Sequence, residues 1–217
     1  MTVAVIPAYN EEGRVGKVVS GTKKFVDAVI VVDDGSTDGT AREAKKAGAR
    51  VIRLVKNLGK GHALREGVMR AKKLRGEIVM LDADGQHRPK DIPKLLKRLE
   101  SADIVFGQRI GGKMPLIKRF GNWFLQRLFN LLFGGAIKDT QCGFRAVKHG
   151  VVEKIMWNSN GYFVDTEIAA RASYNRLKIA QVTIPVIYHD PKKGTGVWDG
   201  IKIGVNMIWL RLKLLFS

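Results

Sequence analysis

The sequence predicts an α/β protein: a doubly wound, mostly parallel sheet with helices on both faces and amphipathic helices in its C-terminal half. Three observations carry that expectation. Short β-branched runs recur through the first hundred residues and are nearly continuous in apolar character, as strands covered on both faces require. Helix-like stretches fill the intervals between them. The connections are short, so strand, helix and strand follow one another as in a βαβ winding.

Residues 3–6 form the first apolar run, ended by Pro7, and residues 14–24 carry the first helical pattern. A second strand is expected at 27–32. Thr37 and Asp38 then supply a start for a helix at 38–47, and Gly48 a stop. Residues 49–55 read as the third strand, 61–74 as the third helix and 77–81 as the fourth strand. The later half is less regular. A strand is expected at 103–108, a helix at 115–133, a strand at 144–147, a helix at 163–175, a strand at 179–188 and a closing helix from Trp198. No repeat or low-complexity linker interrupts the 217 residues, a length that suits one sizeable domain.

An apolar fraction of 45% excludes pervasive disorder. The single cysteine, Cys142, excludes an intrachain disulfide and suits a reducing, cytoplasmic compartment. The opening Met-Thr-Val-Ala-Val-Ile-Pro lacks a basic region ahead of an apolar stretch and reads as a strand rather than a signal peptide. A formal net charge of +18 points to nucleic acid, to an anionic membrane surface or to a lysine-rich surface of the thermophilic kind.

In doubly wound sheets, ligands gather outside the carboxyl ends of the strands. Three polar, acidic segments converge on that edge: Pro7-Ala8-Tyr9-Asn10-Glu11-Glu12, Asp33-Asp34-Gly35-Ser36 and Asp82-Ala83-Asp84. Such acidic strand ends repel phosphates unless metal is bound, so no nucleic acid is expected as partner. Two carboxylates one residue apart at the end of a buried strand are costly unless a cation holds them. A divalent ion bridging a diphosphate is the economical partner, because Mg²⁺ takes one or two carboxylates together with phosphate oxygens. Neither a Gly-x-x-x-x-Gly-Lys-Ser/Thr loop nor a Gly-x-Gly-x-x-Gly after the first strand is present to bind phosphates instead. Gln86 or His87 is available as a further ligand, the competing reading of His87 being a solvated loop histidine. Tyr9 offers a ring to a base, and Asp33-Asp34 a carboxylate to a base or ribose, with a turn and helix cap as the alternative.

Five segments occur in order: Val-Ile-Pro-Ala-Tyr-Asn-Glu-Glu, Val-Val-Asp-Asp-Gly-Ser-Thr-Asp-Gly-Thr, Asn57-Leu58-Gly59-Lys60-Gly61, Leu81-Asp82-Ala83-Asp84-Gly85-Gln86 and Asp139-Thr140-Gln141-Cys142-Gly143-Phe144-Arg145. Together they closely resemble family 2 glycosyltransferases, and among them the dolichol-phosphate mannosyltransferase type, from Val3 to about Pro185. The resemblance implies a fold of the GT-A kind, a nucleotide-sugar donor, and Mg²⁺ or Mn²⁺ on the donor diphosphate. By matching position it implies that Pro7, Tyr9, Glu11, Val32 and Asp34 surround the nucleoside, with Ala8, Asn10 and Lys60 in the same nucleotide-sugar set. Asp82, Ala83 and Asp84 fall at ribose, diphosphate and metal, with Gln86 completing the metal's ligands. Arg109, in Phe-Gly-Gln-Arg, faces the phosphates or the acceptor. Asp82, Asp84 and Arg109 are thus the expected catalytic residues. The family's Arg, then Gly-x-Ser-Lys, is replaced near 192–197 by Lys192-Lys193-Gly194-Thr195-Gly196-Val197, where Lys192 and Lys193 are expected to substitute as a lid on the diphosphate.

The expected reaction is inverting transfer of a hexose, mannose from GDP-mannose first, to a polyprenyl or dolichyl phosphate. UDP-glucose as donor or a soluble hydroxyl acceptor is the alternative. A phosphate acceptor is already ionised and needs cationic anchors rather than a base; Arg109, Lys118 and Arg119 are the candidates. A hydroxyl acceptor needs a base, for which Asp139, Asp165 or Glu167 are candidates, Asp165 also being placed for a helix cap. Gln141 belongs to the same acceptor set. Residues 1–108 form the expected nucleotide-sugar part, 109–197 the acceptor part and 198–217 an amphipathic helix. In 115–133, Ile117, Phe120, Phe124, Leu128 and Leu131 share a face; in the last helix Ile201, Val205, Ile208, Leu212 and Leu215 do, with Lys202, Asn206, Trp209 and Lys213 opposite. That periodicity fits a helix lying on an anionic membrane surface or one packed on its own core. The charge and aromatic content favour the membrane, giving a peripheral location on its cytoplasmic face.

Overall fold

Among the described residues, seven strands and eight helices follow one another, mostly in alternation. The computed structural model describes residues 1–110, 116–134, 137–185 and 197–216, and for 116–120 and 197 the backbone alone. The strands are β1 (Thr2–Ala8), β2 (Ala28–Asp33), β3 (Arg50–Arg53), β4 (Glu77–Met80), β5 (Ile104–Ile110), β6 (Arg145–Val147) and β7 (Ile179–Pro185). The helices are α1 (Glu12–Thr22), α2 (Thr40–Lys46), α3 (Lys60–Lys72), α4 (Ile92–Leu99), α5 (Leu116–Phe133), α6 (Val152–Ile155), α7 (Val164–Tyr174) and α8 (Val197–Leu215). The strands form one sheet in the order β3-β2-β1-β4-β6-β5-β7.

Continuous apolar runs work here because both faces of the sheet are covered. Along β1, Val3 and Val5 point into a core shared with α3, α5, α7 and α8, while Ala4 and Ile6 point into one shared with α1, α2 and α4. Strand β4 divides in the same way, with Ile78 and Met80 on one side and Val79 on the other. This is the three-layer α/β architecture expected from the sequence.

One strand runs against the rest. β6 is antiparallel to both β4 and β5, with Arg145 paired to Met80 on one side and to Phe106 on the other. Its direction matters for the site: a reversed strand brings its beginning, and hence the segment 139–144, to the edge where the parallel strands end. Helix α4 has no counterpart among the elements expected from the sequence, and β3 is shorter than the run at 49–55. Residues 186–188 of the expected last strand lie outside the described residues, as do Lys192 and Lys193. Among the described residues no helix is long and apolar enough to cross a membrane.

Candidate active site at the carboxyl edge of the sheet

The loops after β1 and β2 are laced together. Asn10 takes a left-handed conformation (φ 52°) and accepts the Thr37 backbone N–H at 2.9 Å, while its own N–H donates to Ser36 Oγ. The Glu11 backbone N–H donates to Thr40 Oγ1, and its carboxylate pairs with Arg14 at 3.0 Å. Tyr9 stays exposed at the rim. Pro7 and Ala8 are buried within β1, and the Val32 side chain packs in the core beneath α3.

Asp34 fixes the next segment. Its two carboxylate oxygens accept the backbone N–H groups of Leu58 and Gly59, each at 2.8 Å. Gly59 has φ 97° and lies so close to the Asn160 carbonyl that a Cβ would sit 2.5 Å from it; only glycine meets both demands. Its neighbour Lys60 opens α3 and is thereby aimed back at the strand ends. The neighbouring Asp33 is fully buried, accepts the Ser36 N–H and faces Arg53 at 3.3 Å.

Lys60 Nζ lies 2.7 Å from Asp82 Oδ1 and 2.9 Å from Asp165 Oδ2. Asp165 also pairs with Arg145, whose side chain is fully buried and donates to the Cys142 carbonyl at 2.7 Å. Two cations and two carboxylates thus form a charge-balanced quartet, with Arg145 and Asp165 buried and Lys60 and Asp82 partly exposed. Burial alone would raise Asp82, but Lys60 first, then His87 and Arg145, hold it down at about 2. Burial lowers Lys60, but Asp165 and Asp82 outweigh it and the ammonium is held above its usual range. Both are therefore charged at neutral pH.

Asp84 stands outside the quartet. Burial, then the like charge of Asp82, push it up to about 6, and it has no ion-pair partner among the described residues. One oxygen accepts the Gln86 backbone N–H at 2.9 Å. The site therefore holds one carboxylate more than its cations neutralise. Among the described residues no cluster of three or more His, Cys, Asp or Glu side chains forms a closed metal cage. Two carboxylates with an excess negative charge instead fit an ion that draws most of its oxygens from phosphates and water, the usual habit of Mg²⁺.

His87 is not a solvated loop residue. It is buried, its ring lies 5.4 Å from that of Phe144, and Nε2 is 3.7 Å from Asp82 Oδ2. Burial lowers it to about 4, so it is neutral at pH 7, and its Nδ1 has no hydrogen-bond partner among the described residues. The apolar cover of Phe144 is the physical reason the loop reading fails.

The remaining predicted residues divide into two groups. Arg109 and Asp139 form a two-bond pair at 2.7 and 2.9 Å, and the Gln141 backbone N–H points at the same carboxylate. Glu167 is buried away from Asp82: it accepts the N–H groups of Asn158 and Ser159 and pairs with Arg171 at 2.8 Å. Asp165 makes no side-chain cap to α7. The side chains of Lys118 and Arg119 lie outside the described residues. Arg145 and Gly143 are not among the site residues expected from the sequence. A Cβ on Gly143 would sit 2.4 Å from an Asp82 oxygen, so this glycine leaves the space the carboxylate occupies. An arginine opening a short apolar strand was the readable signal for Arg145.

The Glycosyl transferase family 2 profile matches residues 3–156. The chain belongs to that family. An uncharacterized protein of Methanocaldococcus jannaschii is 37% identical, over 96% of this chain and 91% of the relative. A UDP-N-acetylglucosamine–dolichyl-phosphate N-acetylglucosaminyltransferase of Methanococcus voltae is 32% identical, over 96% of this chain and 95% of its own. A dolichyl-phosphate β-glucosyltransferase of Drosophila melanogaster is 32% identical, over 95% and 74%. Among solved structures, glucosyl-3-phosphoglycerate synthase of Mycobacterium tuberculosis, in complex with Mn²⁺, UDP and glucosyl-3-phosphoglycerate, superposes with a TM-score of 0.76 at 23% identity, over 97% of this chain and 79% of that one. The family 2 glycosyltransferase thus has a GT-A-like fold, and relatives named for dolichyl-phosphate glycosyl transfer span nearly its whole length.

Proposed function

We propose that this glycosyltransferase moves a hexose from a nucleoside diphosphate sugar to a polyprenyl phosphate such as dolichyl phosphate, with inversion at the anomeric carbon. The observation that carries the proposal is the surplus carboxylate of Asp84 beside the charge-balanced quartet of Lys60, Asp82, Asp165 and Arg145. Asp82 and Asp84 would hold Mg²⁺ or Mn²⁺, with Gln86 beside them. When bound, that ion supplies positive charge to the diphosphate as it leaves. Of the donors expected from the sequence, GDP-mannose and UDP-glucose, the UDP-N-acetylglucosamine in the name of one relative and the glucosyl transfer named for another favour a UDP-sugar over GDP-mannose.

In the reaction an acceptor phosphate oxygen bonds to the anomeric carbon while the bond from that carbon to the diphosphate oxygen breaks. A phosphate brings its own negative charge, so no residue has to remove a proton. This agrees with how the acids near the site are engaged: Asp139 pairs with Arg109, Asp165 with Lys60 and Arg145, and Glu167 holds a loop. Arg109 is proposed to face the acceptor phosphate, held in a fixed orientation by Asp139. Asp34 acts at one remove, since the segment it pins carries Lys60 to Asp82. The loops of 1–108 make the donor side and those of 109–197 the acceptor side. The proposed location is the cytoplasmic face of a membrane, reached by peripheral contact, because a polyprenyl acceptor resides there.

Calorimetry with UDP and GDP, with and without Mn²⁺, tests the donor site. Binding of UDP that requires Mn²⁺ is expected. Binding of equal strength without metal overturns the role given to Asp82 and Asp84, and a preference for GDP restores the mannose donor.

A further inference from the structure

Helix α8 is apolar on two sides. Ile203, Met207, Leu210 and Leu214 are at most 8% exposed and belong to the core. Ile201, Val205, Ile208, Leu212 and Leu215 form a second stripe, about 150° around the helix at 3.6 residues per turn, and are 47–61% exposed. Packing on a core needs only one such stripe. The stripe expected from the sequence is therefore the outward one, and the core does not account for it.

Its neighbour α5 is built the same way. Leu125, Phe129 and Phe133 face the core, whereas Trp123, Phe124 and Leu131 are more than half exposed. The two helices pack side by side, Leu125 and Leu128 reaching Gly204 of α8. Their sequences hold six cations (Lys118, Arg119, Arg127, Lys202, Arg211 and Lys213) and one acid, Asp199. Lys202, Trp209 and Lys213 lie along one border of the α8 stripe rather than opposite it, and Arg211 along the other, by the same helical geometry. Lys213 sits 5.7 Å from the Trp209 ring centre, and Arg127 5.5 Å from that of Trp123.

We propose that α8, flanked by α5, is a docking element that lies in the surface of an anionic lipid bilayer. Its outward stripe meets the acyl chains and its tryptophan and lysine border meets the headgroups, the arrangement of an interfacial helix. Charge decides the occupant. A second copy of the same face would set cation against cation, whereas anionic lipid neutralises each basic residue near its surface. A cleft of about 530 Å³ runs along this border, lined by Lys202, Trp209 and Lys213 on one side and by Asn158 and Asn160 on the other. Asn160 in turn bonds to Gly61, next to Lys60. The inference deepens the polyprenyl-phosphate reading and rests on it for the acceptor's whereabouts, but its test is independent.

Co-sedimentation of the full chain with phosphatidylcholine vesicles, with and without phosphatidylglycerol, provides that test. Binding to the phosphatidylglycerol vesicles at low salt, weakening as salt rises, is expected. The exposed double substitution Ile208→Glu with Leu212→Glu should lower it at least about tenfold, while UDP binding measured without lipid stays unchanged and reports an intact fold. Wild-type chain that ignores both vesicle types, or a double variant that binds as wild type does, overturns the proposal. So does a wild-type dimer in solution that the same double substitution dissociates, which would assign the face to a second copy. Lost nucleotide binding with intact vesicle binding would count against the donor site alone.

Discussion

Asp84→Asn should stabilise the metal-free protein while destroying its use of metal. The carboxyl is raised from its ordinary 3.8 to about 6, so the folded chain holds that proton more tightly than the unfolded chain does. Stability therefore falls as pH rises from 3.8 through 6: the penalty is absent below the unfolded value and full above the folded one. At about 1.4 kcal/mol for each tenfold in proton affinity, the rise amounts to about 3 kcal/mol. Partial exposure of the group screens this to about 1–2 kcal/mol. Asparagine keeps an oxygen for the Gln86 N–H and removes the charge. Urea unfolding in EDTA at pH 8 should show the variant more stable by that amount, with the gap nearly closed at pH 4, where the wild-type carboxyl is protonated too. Adding Mn²⁺ and UDP at pH 8 should reverse the order. A variant less stable than wild type at pH 8, or a gain of equal size at both pH values, would refute the reasoning.

Mn²⁺-dependent nucleotide binding should weaken below about pH 6, because a proton on Asp84 competes with the ion; a flat titration from pH 8 to 5 counts against this. Gly143→Ala should shift the Asp82 carboxylate, a short side chain that can move, and cost at least about tenfold in metal-dependent nucleotide affinity with a loss of stability below about 1 kcal/mol by denaturant titration. Arg145→Met leaves Asp165 buried beside Lys60 alone and should destabilise by about 3–5 kcal/mol in the same assay. Cys142 is buried, and burial pushes its thiol up to about 12, so a thiol reagent at pH 8 should modify it only on unfolding.

The half of the chain with local pairing was readable. β1, β2 and β4 pair as neighbours through short βα units, so apolar runs at 3–6, 27–32 and 77–81 sufficed to set three acidic loops on one edge. The direction of β6 was not readable, because three residues have no period and their partners in β4 lie more than sixty positions away. The same distance hid the quartet: Lys60, Asp82, Arg145 and Asp165 are each legible as polar residues in motifs, but their charge balance exists only after folding. Helix α4 is not legible in the sequence because its eight residues begin with Ile-Pro and carry three basic side chains, a pattern close to that of a loop. For α5 and α8 the apolar period was correct, yet period alone gave no sign that a second, core-facing stripe ran beside it.

The reversed strand also bears on how the protein acquires its activity. Sheet pairs β1–β2 and β1–β4 join segments early in the chain, but β6 can join β4 to β5 only once residue 147 has been made, and the other edge of β5 is covered only once residues 179–185 of β7 have been. Contacts between such distant segments form slowly, since the loop must be ordered before any pairing rewards it. Arg145 and Asp165 belong to the later part of the chain, so the circuit around Asp82 and Lys60 closes only when that part packs against the first. Until those segments pair, the first strands can be wound while the carboxylates at their ends lack the balancing charge of Arg145.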